Sequence, residues 1–420
     1  MNITLKAECL VCSLVNTDDN VGETKQRRIE FSLPILFIRT QMFNGVFDRL
    51  GSLRASRLLS WIALGIVPVV AGIGLYLVCS SLFTLLWTPV ARDMTRELGP
   101  AAYLLLPGIN PMLPILYGWL AIVCAMVVHE GAHGIIARNR GLKVKSSGVV
   151  FFFIIPFGAF VDVDEDQITK AKPKDSLRVM AAGVGGNVVV SLACILAVFI
   201  IVNGLTPVVE GVYIVDITDG MPAKTAGLLP KDVFVSIDNI PIDSYTILNS
   251  IFASKNAGDI VRVTVARGEN GDQRFSTNVT LIESGKRAII GISVGNFEER
   301  LAFYQTLSLE TVPLYMIPPS LAPGLVPFSD SLIPFYTHPL GSQWHIYANI
   351  FFWIWFVNVN LAVFNALPIY PFDGGRILDI SLKRILSRRA SEKTISRITY
   401  TVTVTLICIL LMIAVIPFIM

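Results

Sequence analysis

Residues 121–133 read AIVCAMVVHEGAH: eight apolar or small residues running into His129-Glu130-Gly131-Ala132-His133. Ionisable side chains at the end of such a run are costly in a membrane unless they pair with something or bind something. On a helix, His129 and His133 fall on one face about a turn apart, so both imidazoles reach one metal ion. Glu130 follows the first ligand and flanks the second, where its carboxylate meets a water on that metal. This is the HExxH arrangement, two zinc ligands and a general base. Two structural histidines, each satisfied by a hydrogen bond, are the plainer alternative, and the intervening Glu in an apolar span disfavours it.

The rest of the chain supplies the membrane setting. Of 420 residues 53% are hydrophobic and only 15% charged, against roughly 25% charged in ordinary soluble domains. Five uncharged runs approach or exceed the ~20 residues that cross a hydrocarbon core: about 58–86, 111–137, 179–202, 346–367 and 398–419. A further apolar stretch, 311–328, holds five prolines, which argues for a surface or interfacial loop rather than a span. The predicted fold class is therefore a multi-spanning α-helical membrane protein of about five transmembrane helices.

Lys and Arg concentrate in three places: Arg49, Arg54 and Arg57 before the first run, Arg138 to Arg178 between the second and third, and Arg376 to Arg397 between the fourth and fifth. Five alternating crossings put all three on one side, and the positive-inside rule makes that side cytoplasmic. Residues 203–345 then lie outside. The net charge of +3 points to no nucleic-acid partner. Cys79, Cys124, Cys194 and Cys408 sit in apolar runs and read as small hydrophobes, and Cys9 and Cys12 form an isolated CxxC.

The outer segment has a different texture. Val212–Val215, Val233–Ile237 and Ile260–Val265 read as strands, Asn270-Gly271 as a turn and Ser244–Ser254 as a helix. The run from Pro222 through Gly227-Leu228 to Val233, followed by Ile237-Asp238-Asn239, resembles the peptide-binding core of a PDZ domain, in which Gly227 and Leu228 would contact peptide. Such domains bind extended peptides by adding a strand to a sheet edge; a generic β-rich spacer is the alternative.

Zinc needs a third protein ligand and an open position for water. His338 and His345 fall on the outer side. Asp373 lies in Asn365-Ala366-Leu367-Pro368-Ile369-Tyr370-Pro371-Phe372-Asp373-Gly374-Gly375, at the inner end of the fourth run and so at the depth of HEGAH. In isolation, an Asp before two glycines is more often a cap or turn residue.

HExxH in one span with NxxPxxxxDGG in a later one resembles the site-2 protease family of intramembrane metalloproteases, over about residues 110–385. The resemblance implies zinc held by His129, His133 and Asp373, Glu130 as catalytic base, and a PDZ-like insertion as in bacterial and archaeal members. It implies that residues 147–161, apolar and broken by Pro156 and Gly158, form a membrane-associated β-hairpin that offers an edge to substrate. It also places Asn187, in Ala181-Ala182-Gly183-Val184-Gly185-Gly186-Asn187, and Asn365 near the centre as substrate-positioning residues. Small residues there also explain themselves by close helix packing. The acidic run Asp162–Asp166 reads as a solvated face, without calcium-loop spacing.

The division expected is 1–57, a cytoplasmic segment of disordered character; 58–203, three spans with HExxH and the hairpin; 204–300, the PDZ-like extracytoplasmic domain; 301–345, an extracytoplasmic or interfacial linker; and 346–420, two spans. The expected activity is zinc-dependent cleavage of transmembrane segments of single-span substrates in the cell membrane, during regulated intramembrane proteolysis. Two other readings stay open: a membrane-anchored quality-control metalloprotease, and an inactive adaptor presenting peptides through its PDZ-like domain.

Overall fold

The computed structural model describes residues 29–32, 34–153, 155–208, 211–267, 272–285, 287–306, 308 and 310–420. The Cys9–Cys12 pair and the Asn270-Gly271 turn lie outside the described residues. Among those described, five helices are long and apolar enough to cross a membrane: Arg54–Trp87, Ile115–Asn139, Pro173–Asn203, Trp344–Ala366 and Glu392–Ile419, hereafter the first to fifth spans. They match the five apolar runs; the first, third and fifth begin a turn or more earlier, in the Arg- and Lys-bearing residues that precede each run.

The chain divides into two compact units. The first contains residues 1–111, 118–192 and 354–420, and the second 112–117 and 193–353.

In the first unit, glycines set how closely the spans pack. A Cβ on Gly185 would lie 2.4 Å from that of Ala63 in the first span, and one on Gly186 would lie 2.9 Å from that of Ala132 in the second. In lipid, where apolar burial drives no association between helices, such close backbone approach supplies the packing. Arg178 at the start of the third span is buried against the first. Its guanidinium donates to Ser60 Oγ at 3.0 Å and to the Arg57 carbonyl at 3.1 Å, and lies 4.6 Å from the Trp61 ring centre. These contacts compensate a cation that would otherwise be expensive at this depth.

Four strands form one antiparallel sheet in chain order: β1 (Ile29–Ser32), β2 (Ile35–Thr40), β3 (Val144–Phe152) and β4 (Ile155–Val163). The expected hairpin is β3–β4. In the segment before the first span, where disorder is the expectation, the described residues form β1, β2 and the helix Asn44–Gly51. The apolar run Ile35–Ile38 has strand character, and it is extended further by pairing with β3, Ile35 opposite Phe152 through Thr40 opposite Ser147. Gly148 permits that approach, since a Cβ there would lie 2.1 Å from the Ile38 carbonyl oxygen. Asp48 also meets Arg138 at 3.2 Å. Both contacts require the segment before the first span and the loop between the second and third to share one side of the membrane, as two crossings demand.

The second unit contains a β-rich domain. β6 (Val212–Ile217), β7 (Val233–Ile237), β9 (Ile260–Arg267), β10 (Gln273–Thr280) and β13 (Ile292–Asn296) form a sheet in the order β10-β9-β7-β6-β13, with β8 (Ile240–Pro241) on β7. β5 (Thr206–Pro207) pairs with β14 (Tyr336–Thr337), and β11 (Ile282–Ser284) with β12 (Arg287–Ile289). Alternate residues of β9 (Val261, Val263 and Val265) are buried beside Ile214, Leu228 and Ile237, as strand periodicity requires. The helix Tyr245–Ala253 begins on Ser244, whose side chain accepts from the Ile247 amide. Residues 311–328, expected as a surface or interfacial loop, form no spanning helix; Tyr315, Val326 and Phe328 are buried, while Val312, Met316 and Leu321 are exposed. Their prolines limit helix to one short 3-10 turn, Val312–Met316, without keeping all the intervening side chains in solvent.

A candidate metal centre

The second span buries one stripe: Gly118, Ala121, Ala125, His129, His133 and Ile136, spaced by threes and fours. Both histidines therefore turn inward while Glu130 sits at the edge of the stripe. The chain brings Asp373 to them through the turn after the fourth span. There Gly374 and Gly375 are required by contact: a Cβ on either would lie 2.2–2.4 Å from backbone atoms of residues 366–370. Asp373 opens the helix Asp373–Leu386.

The three ligand atoms form a near-equilateral triangle. His129 Nε2 and His133 Nε2 are 3.2 Å apart, and Asp373 Oδ2 lies 3.3 Å from the first and 3.2 Å from the second. Atoms bound to zinc at about 2.0–2.1 Å and tetrahedral angles stand about 3.3–3.4 Å apart. His133 Nδ1 is 2.7 Å from the Val179 carbonyl of the third span. It donates there as Nδ1–H, leaving Nε2 with its lone pair toward the triangle. All three side chains are about nine-tenths buried. Lone pairs and a carboxylate converging in a buried site, at this spacing, fit zinc.

Glu130 Oε2 accepts a hydrogen bond from the Val161 backbone N–H at 3.0 Å. Val161 is on β4, the edge of its sheet, and in an antiparallel ladder alternate residues turn their backbone groups away from the partner strand. The edge of the hairpin therefore reaches the metal centre itself.

A model of peptidase family M50 matches residues 117–410. The chain belongs to peptidase family M50. It is a zinc metalloprotease of the multi-pass membrane type, with the three candidate ligands grouped as described. Among similar proteins, an uncharacterized protein of Methanocaldococcus jannaschii is 22% identical over 382 residues, covering 87% of this chain and 86% of that one. A membrane-bound transcription factor site-2 protease homolog of Arabidopsis thaliana is 27% identical over 49% of this chain and 40% of its own length. A putative zinc metalloprotease of Clostridium perfringens is 25% identical over 68% of this chain and 92% of its own. Among solved structures, the PDZ domain of the SdrC-like protein from Listeria monocytogenes is 25% identical, covering 20% of this chain and 88% of that chain with a TM-score of 0.19.

The remaining predicted residues of this M50 peptidase sit as follows. Asn187 is wholly buried, with Nδ2 3.5 Å from His129 Nδ1. Asn365 donates to the Leu361 carbonyl of its own helix at 3.1 Å. In the β-rich domain, the Gly227 and Leu228 amides donate within their own loop to the Lys224 and Ala223 carbonyls, and the Leu228 side chain lies in the core. The acidic run is structured rather than merely solvated: Asp164 caps the helix Glu165–Lys170 through the Gln167 amide, and Glu165 meets Arg376 at 3.4 Å. Sequence reasoning missed Val161, whose part is played by a backbone N–H, and Gly183, where a Cβ would lie 2.5 Å from both imidazoles.

Proposed function

We propose that this peptidase hydrolyses peptide bonds within or beside transmembrane segments of membrane proteins, as a step of regulated intramembrane proteolysis. The observation that carries the reading is the contact of an edge strand with the base of a metal centre built on a membrane helix. A helical substrate hides its scissile carbonyl in its own hydrogen bonds. An unwound segment added to β4 would have those backbone groups satisfied by the strand edge.

An apolar cavity of about 200 Å³ supports the same substrate class. Trp119, Ile122 and Met126 of the second span and Val357 and Leu361 of the fourth line it, one to three turns from His129 on the same helix. A cavity of ~150 Å³ accepts benzene, so this one accommodates a large apolar side chain.

Zinc, when bound, polarises the scissile carbonyl and makes a water more acidic. Glu130 takes the proton of that water and passes it to the leaving amine. His129, His133 and Asp373 hold the metal. Val161 N–H fixes the carboxylate between its two tasks.

In this reading the ends of the spans carrying the Lys and Arg clusters face the cytoplasm. The β-rich domain, PDZ-like in its loop sequence, faces outward and admits substrates already shortened there. The partners are single-span membrane proteins and the bilayer. The test reconstitutes the purified chain in lipid with single-span substrates, beside Glu130→Gln. Cleavage inside the substrate span by wild type alone, with zinc retained by the variant, is expected. Equal cleavage by both, or cleavage confined to residues outside the bilayer, overturns the reading.

A further inference from the structure

Three positions of the third span, Val179, Gly183 and Asn187, are spaced by four and lie along the face that meets HEGAH. The Val179 carbonyl holds His133 Nδ1 at 2.7 Å. Gly183 presents no side chain where a Cβ would strike both rings. Asn187 stands 3.5 Å from His129 Nδ1. Each histidine ligand thus has its outer nitrogen against one group of the same helix.

The chemistry of that last contact can be settled. His129 Nε2 faces His133 Nε2 and Asp373 Oδ2, so it is the atom that binds metal, and it must carry the lone pair. Its Nδ1 is then an N–H donor. The Asn187 amide places NH2 against that donor, while its Oδ1 is buried and without a hydrogen-bond partner. Turning the amide end for end replaces the donor–donor contact with N–H···O and gives Oδ1 a partner, Nδ2 taking the position Oδ1 leaves, because the two ends have nearly the same shape. The opposite arrangement, NH2 donating to an Nδ1 lone pair, would put the ring proton on Nε2 and forbid metal binding.

We infer that Asn187 is a positioning residue for the metal: its side-chain carbonyl accepts the His129 Nδ1–H and fixes the tautomer and ring orientation that zinc requires. Its complete burial separates this role from a contact with substrate. The inference rests on the zinc centre and is independent of which substrate is cleaved. Such outer partners typically contribute 10–100-fold to metal affinity.

The test measures zinc affinity of the full chain in detergent by competition with a chromogenic chelator, alongside the visible spectrum of the cobalt form. Asn187→Leu, which keeps the volume and removes the acceptor, is expected to weaken zinc about 10–100-fold and to perturb the cobalt spectrum. Asn187→Asp, which accepts but cannot donate, is expected to hold zinc within about threefold of wild type, as carboxylate–histidine–zinc sites do. A folded Asn187→Leu chain with wild-type affinity overturns the inference, as it would if the amide served substrate or packing alone. Should the leucine variant not fold, the aspartate variant decides: affinity near wild type supports an acceptor, and a tenfold loss overturns it. Activity enters neither readout, so failure of the proposed substrate class leaves the result interpretable.

Discussion

The backbone N–H of Val161 donates to Oε2 of Glu130 at 3.0 Å, joining the edge of a β-sheet to the base of a metalloprotease. A hydrogen bond to a charged acceptor contributes about 1.5–3 kcal/mol, and an edge strand tolerates proline because its outward N–H has no ladder partner to lose. Val161→Pro is therefore expected to lower kcat by about tenfold or more while zinc content stays at that of wild type. Val161→Ala, which keeps the N–H, is expected to retain the rate. Equal rates for the two variants in single-turnover assays would leave the contact without a catalytic part.

Gly183→Ala should be damaging for a reason opposite to helix propensity. Alanine favours a helix by up to about 1 kcal/mol over glycine, yet its methyl would lie 2.5 Å from His129 Cε1 and His133 Nε2. The rings must move out of the ligand triangle. Purified protein is expected to carry well under half the wild-type zinc by elemental analysis, with helical circular dichroism preserved. Full zinc occupancy would show that the rings have room to yield.

Removing Arg178 tests the packing of the first and third spans. Its guanidinium is 2% exposed and donates to Ser60 and Arg57. Arg178→Ala leaves a cavity and unpaired acceptors. Loss of one partner from a buried polar set costs about 3 kcal/mol. A fall of several degrees in the melting midpoint in detergent is expected, against almost none for exposed Arg388→Ala.

The β-rich domain carries its own pH signature. The Lys255 ammonium at 2.7 Å, followed by the Arg262 amide, holds the Asp238 carboxyl below its ordinary value, which is about 3.9. A depressed folded pKa contributes stability above the unfolded value, and that stability disappears as pH falls through the folded one. Hydrogen exchange across residues 233–267 of the full chain, corrected for intrinsic rates, is expected to quicken as pH drops from about 5 to about 3. Asp238→Asn should flatten that response, since asparagine tolerates the φ of +51° at this turn.

Much of the architecture was legible because it depends on runs and spacings. Apolar length marked the five spans, and i, i+4 spacing marked His129 and His133. Loop charge placed Asp373 at their depth, and the glycines after it signalled the close turn it needs. What escaped depends on partners far along the chain. Ile35–Ile38 has strand character, but nothing local says that it pairs with residues beyond two spans. The Val161 N–H is common to nearly every residue, so its role has no side-chain signal. Asn187 showed only as a polar residue among glycines, and its meeting with His129 is a product of helix packing.

The pairing of β2 with β3 has a consequence for biosynthesis. Thr40 and Ser147 face each other across 107 residues of chain, with two membrane helices between them. At about 5–20 residues per second of synthesis, β2 leaves the ribosome several seconds or more before its partner exists. The nascent chain must leave one edge of an apolar strand, the edge away from β1, unpaired while the first two spans enter the bilayer. The hairpin edge that meets Glu130 can be completed only after both have been inserted, so an assembling molecule finishes its active site late, once its helices are already in the membrane.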